Sequence, residues 1–158
     1  MTSKYPLQHQ ELPKEIRSEY LDRGFSAEML RIRDVSFDLE NRLATASVGV
    51  ETDFKNSYYD GKDNSFHWSA ITAYRAVSQL TIGYICTELG MPKSRIGEVM
   101  QISSNMNNLA PICQDSDVSV RVEFPKYIRR GSRVLGELSF DIANRTFHGE
   151  IRFAVDLD

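Results

Sequence analysis

Residues 64–90 read NSFHWSAITAYRAVSQLTIGYICTELG, and the fold turns on how that stretch is interpreted. Its spacing is helical, yet its middle is apolar on nearly every face, with only Arg75, Gln79 and Glu88 interrupting strongly. Asn64-Ser65 supplies cap residues at one end, and Gly90 with Pro92 just beyond stops the helix at the other. About 22 residues at 1.5 Å per residue would run roughly 33 Å. No run approaches the ~20 residues a bilayer requires, so this surface must be covered by other parts of the chain or by a second subunit.

The flanking sequence supplies the cover. Val118, Val120, Val122 and Phe124 alternate with Ser119, Arg121 and Glu123. Val134, Gly136, Leu138, Phe140 and Ile142 repeat the alternation, and Phe147, Gly149, Ile151, Phe153 and Val155 repeat it again. Strict period two predicts a three-strand antiparallel meander with one wet face, joined by PKYIRRGS and ANR. Ahead of the helix, Leu30, Ile32, Val35, Phe37 and Leu39 alternate with charges, ENR turns the chain, and Ala44, Ala46, Val48 and Val50 return it as a β-hairpin. KSRIGEVMQISSNMNNLAPI, after the helix, reads as a short strand or an irregular segment followed by a polar loop. Residues 1–28 form a polar N-terminal arm with a short helix at PKEIRSEYL, and residues 29–158 form one domain.

A hairpin, a long apolar helix and a meander make an α+β chain in which only a strongly curved antiparallel sheet can cover the helix. This order is similar to the hot-dog fold, in which the sheet rolls around one long central helix. The helix surface left open by the sheet predicts a homodimer or higher homo-oligomer. A generic α+β sandwich is the alternative.

Composition narrows the function classes. An apolar share of 41% and a charged share of 26% are ordinary for a globular domain, and a net charge of −3 gives no basic field for nucleic acid. The N-terminus lacks the apolar core of a signal peptide, so a cytoplasmic protein with no membrane span is expected. Cys86 and Cys113 make no disulfide framework. No metal is expected, because no His, Cys and carboxylate residues stand at ligand spacing. No P-loop or nucleophile elbow is present.

Hot-dog domains mostly handle acyl thioesters, and this chain has residue types suited to that. A helix amino end offers N–H groups and a positive dipole end to a thioester carbonyl. At the expected mouth stand Asn64, Ser65, His67 and Ser69. His67 titrates near neutrality and suits a general base or a hydrogen-bond donor, or else a solvated cap. Tyr58 and Tyr59, in the preceding loop, can polarise a carbonyl or pack as a lid; Tyr20 closes the arm. Ser78 and Gln79 can reach polar atoms of a bound acyl group or satisfy backbone. Arg75, costly among apolar neighbours unless paired, suits a subunit seam or a carboxylate. Lys126, Arg129, Arg130 and Arg133 make a local basic patch for the phosphate of coenzyme A or an acidic carrier protein, or a solvated turn. His148 is expected in solvent.

SEYLDRGF, NSYYDGKDNSFHW and RAVSQLTIGY, in that order, resemble the FcoT-like (type III) fatty acyl-CoA thioesterases of the hot-dog superfamily. The resemblance implies an acyl site lined by a tyrosine before the first strand, a tyrosine before the helix and an asparagine within it. These fall on Tyr20, on Tyr59 (with Tyr58 as fallback) and on Ser78, so the asparagine is replaced by serine. It implies a thioesterase-like enzyme with no cofactor, acting on acyl-CoA or acyl-carrier protein through the pantetheine handle. Two alternatives stand beside hydrolysis. One is conjugate addition of glycine to an α,β-unsaturated acyl-carrier thioester, as in β-amino or isonitrile lipid synthesis, with Tyr59, His67 and Arg75 in the working roles. The other is a 3-hydroxyacyl thioester dehydratase. A non-catalytic acyl-binding module is the reading from another class.

Overall fold

A computed structural model describes residues 29–51, 68–110, 112 and 117–158. Its elements are β1 (Met29–Asp38), β2 (Leu43–Glu51), α1 (Ala70–Leu89), a 3-10 turn (Lys93–Arg95), β3 (Met100–Asn108), β4 (Val118–Arg130), β5 (Arg133–Ile142) and β6 (Phe147–Asp156). The strands form one sheet in the order β1-β2-β4-β5-β6-β3, and every pairing is antiparallel. This is the hot-dog arrangement, with α1 packed on one face.

Both long hydrophobic rows carry a bulge that changes which parity faces the helix. In β1 the register shifts between Arg33 and Ser36, with Asp34 at a φ of 50°. Leu30 and Ile32 before the bulge and Phe37 after it therefore all pack against the core. Val35 and Leu39, expected in the same row as Phe37, are 45% and 42% exposed instead. In β4 the shift lies between Glu123 and Lys126 and contains Pro125, which cannot donate to a ladder. Val120 and Val122 before it and Phe124 at its start are buried, and Tyr127 takes over the inward row after it. The segment PKYIRR, expected as a loop, is thus the second half of β4, and only Gly131 and Ser132 turn the chain into β5.

The helix starts later than its sequence suggests. Ser69, not Asn64-Ser65, is the N-cap: its Oγ accepts from Thr72 N at 3.1 Å, while Thr72 Oγ1 accepts from Ser69 N at 3.3 Å. Gly90, at a φ of 62°, closes the other end in the left-handed conformation. The resulting 20 residues span about 30 Å. Ala73, Ala76, Val77, Leu80, Tyr84 and Ile85 are buried against the sheet. Tyr84 stacks on Phe124 with ring centroids 4.1 Å apart, and Phe124 meets Phe153 edge-on at 6.4 Å. Rings of this kind bury about 150–250 Å² each and anchor the core.

β3 is the strand the sequence left undecided. It pairs only with β6 among the described residues and is exposed along nearly its whole length. No helix among the described residues is long and apolar enough to cross a membrane.

Candidate functional site

At the amino end of α1 the cap hydroxyl and the Thr72 amide are paired with each other. The Ser69 hydroxyl is committed to Thr72, both to its amide and, at 2.9 Å, to its hydroxyl. Trp68, directly ahead, is buried, and its amide donates to Ile112 O at 3.0 Å. Ser69 is therefore a structural cap. Tyr20, Tyr58, Tyr59 and His67 lie outside the described residues.

The polar cleft of α1 lies on its flank instead. Arg75, Ser78, Gln79 and Ile82 stand at i, i+3, i+4 and i+7, which places them in one stripe. That stripe lines a cleft of about 670 Å³ between the helix and β1, whose far wall is Leu30 and Ile32. The near wall is the chain running into β3, at Glu98 and Val99. Tyr74 secures that wall, donating from its hydroxyl to Val99 O at 3.1 Å.

Ser78 is the distinctive group in the cleft. Its Oγ is shielded from solvent and has no hydrogen-bond partner among the described residues. A buried hydroxyl without a partner costs about 1–3 kcal/mol, and in a cleft wall that cost is relieved when a polar group of a ligand arrives. Gln79 is exposed beside it, and Arg75 is half-buried one turn earlier. Across the cleft, the Glu98 carboxylate is held by Lys93 Nζ at 3.0 Å. A hydroxyl donor, a carboxamide and a guanidinium along one helical stripe, facing two aliphatic residues, suit a ligand with a polar head and an apolar body.

Three of the helix candidates, Arg75, Ser78 and Gln79, are thus brought together, while Arg129 and Arg130 are not. Those two sit at the tip of the β4–β5 hairpin, where the neighbouring Tyr127 packs edge-on to Tyr84, in the carboxyl half of α1, at 6.3 Å. Arg129 donates to Gly131 O, Lys126 pairs with Glu137 and Arg133 pairs with Asp156. Lys126 and Arg129 are thus engaged within the hairpin, and Arg133 with the neighbouring strand β6. Burial pushes the Tyr84 phenol up to about 12 and raises Tyr127 as well, with Glu88 adding to both. Both phenols therefore stay neutral at physiological pH and serve as core rings.

His148 is half-exposed on the outer face, with Nδ1 2.9 Å from Arg145 O. It shares a polar surface cleft with Arg121, Asp141 and Glu150, away from the helix. Cys86 is a free, half-buried thiol. No cluster of three or more His, Cys, Asp or Glu residues suited to a metal occurs among the described residues.

Sequence reasoning missed Tyr74 and Glu98. Tyr74 precedes Ser78 by one turn, a spacing that could have flagged it. Nothing local marks Glu98, whose place depends on the chain folding back after the helix.

No protein-family model matches the chain, and no curated protein does either. Solved structures do. A thioesterase mutant from Pseudomonas aeruginosa (PA1618) superposes with a TM-score of 0.51 at 12% identity, covering 82% of each chain. A hypothetical thioesterase from Streptococcus pneumoniae TIGR4, solved with coenzyme A, gives 0.51 at 12% identity, covering 85% of this chain and 91% of the other. At such identity the likeness speaks to the fold alone, and it agrees with the strand order and central helix: this chain has the hot-dog fold.

Proposed function

We propose that the chain is an enzyme of acyl thioesters and that the flank cleft of α1 holds the acyl group. The observation that carries this reading is the buried Ser78 Oγ, without a hydrogen-bond partner among the described residues, in a cleft that also presents Leu30, Ile32 and Ile82. In hydrolysis, water adds to the thioester carbonyl, the oxyanion forms, and the carbon–sulfur bond breaks to give a carboxylate and a thiol. The Ser78 hydroxyl donates to the developing oxyanion, and the Arg75 guanidinium adds positive charge nearby. The base that takes the proton from water is assigned to His67, with Tyr59 as a second donor, on their sequence positions alone. The stretches resembling the FcoT-like thioesterases support this assignment, and the serine at position 78 takes the place of that family's asparagine. The hot-dog protein solved with coenzyme A supports pantetheine as the substrate handle.

A second reading is favoured by Arg75 in the cleft. A fixed cation beside a thioester suits a carboxylate-bearing co-substrate, as in addition of glycine through its nitrogen to the β-carbon of an enoyl thioester. That reaction releases no thiol.

A second copy of the chain fits the outer edge of β3, where Met100 and Ile102 are 42% and 56% exposed. The test of function is direct. Incubation with acyl-CoAs, followed by thiol titration, reports hydrolysis; incubation with glycine and enoyl thioesters, followed by mass spectrometry, reports addition. Silence in both sinks the enzyme reading, and sedimentation as a monomer at micromolar concentration sinks the dimer.

A further inference from the structure

We propose that Ile82 and Phe37 form a stop that restricts the cleft to short acyl chains, an inference that rests on the thioester reading above. The cleft is graded along the helix. Its polar members Arg75, Ser78 and Gln79 occupy the amino-terminal part of the stripe, and its last helical residue is Ile82, only 5% exposed. The next position is Gly83, and the ring of Phe37 lies directly on it: a methyl group there would come within 2.6 Å of Phe37 Cζ. The glycine therefore admits the aromatic ring to the helix surface, and the ring occupies the space beyond Ile82.

The β1 bulge is what aims this ring. In a regular strand Phe37, five residues after Ile32, would face away from the helix; the bulge between Arg33 and Ser36 absorbs one residue and returns it to the helix side. With it, Leu30 and Ile32 line the cleft, and Phe37 packs on Gly83, next along the chain from Ile82.

The thioester carbonyl belongs at the polar part, since placing it against Ile82 would bury it without a partner. The acyl chain then runs from Ser78 toward Ile82, four residues of helix or about 6 Å at 1.5 Å per residue. Along that path there is room for only a few methylenes before Ile82.

The experiment is a chain-length profile of turnover and of calorimetric binding, from acetyl-CoA to palmitoyl-CoA. The profile is compared for the wild type, Ile82→Ala, Phe37→Ala and the milder Phe37→Leu, each with its melting temperature measured. The wild type should favour short chains, and the variants should shift the optimum to longer ones. The gain for a longer substrate should be about tenfold, the lower end of what one methylene of pocket space confers. Should Phe37→Ala fail to fold, Phe37→Leu and Ile82→Ala carry the comparison. A wild type that prefers long chains, or a profile unmoved in the folded variants, overturns the stop while leaving the thioester reading intact. Absence of both binding and turnover at every length overturns the two together.

Discussion

The hydroxyl of Tyr74 donates to the carbonyl of Val99 at 3.1 Å, joining the first half of the helix to the chain that leads into the edge strand β3. The bond spans two elements far apart in sequence and holds one wall of the cleft. Tyr74→Phe keeps the ring and removes the donor. The loss should be about 1 kcal/mol of stability, read as a lower urea midpoint. Because the wall loosens while Ser78 stays in place, KM should rise more than kcat falls. A purely structural tether would lower stability without that split.

Ser69 tests the revised start of the helix. Its side chain accepts from Thr72 N and completes a capping box. Ser69→Ala should cost about 1 kcal/mol and lower the melting temperature, whereas Ser65→Ala should do so only if the helix began where the sequence first suggested. Thermal melts of the two variants side by side decide between the starts.

Asp38 carries a pH prediction. Hydrogen bonds from the Asn41 side chain and from its amide hold this carboxyl below the usual carboxylate range. A carboxyl lowered by folding contributes stability above its unfolded value, about 4, and that contribution is lost as the pH falls through the folded value. Asp38→Asn should therefore lower the urea midpoint at neutrality, where that contribution is present, and converge with the wild type at acid pH, flattening the acid limb. An acid limb identical to that of the wild type would remove Asp38 from the account.

Much of this architecture was legible because one face of most strands is buried. In β5 and β6 the alternating row Val134, Leu138, Phe140, Ile142, Phe147, Ile151, Phe153 and Val155 lies in the core. β3 stayed undecided between a short strand and an irregular segment, since an edge strand exposed on both faces has no reason to alternate; Ser103, Ser104, Asn105 and Asn107 carry no hydrophobic period. The bulges were hidden for a related reason. A single extra residue leaves hydrophobic spacing that still looks periodic on either side, so Val35 was grouped with Phe37 and PKYIRR was read as a turn. In the cleft, Arg75, Ser78 and Gln79 were visible because helical spacing alone puts them on one stripe. Leu30, Ile32, Glu98 and Val99 join them only through tertiary packing.

The central claim is that the Ser78 hydroxyl serves the acyl thioester rather than the fold. Steady-state thiol release from the best acyl-CoA, measured for the wild type and Ser78→Ala alongside their melting temperatures, tests it most directly. Loss of a transition-state hydrogen-bond donor should lower kcat by about 10²–10³-fold, while the melting temperature holds or rises because an unpartnered buried hydroxyl has been removed. An unchanged kcat, or a fall in activity matched by a loss of folding, would contradict the account.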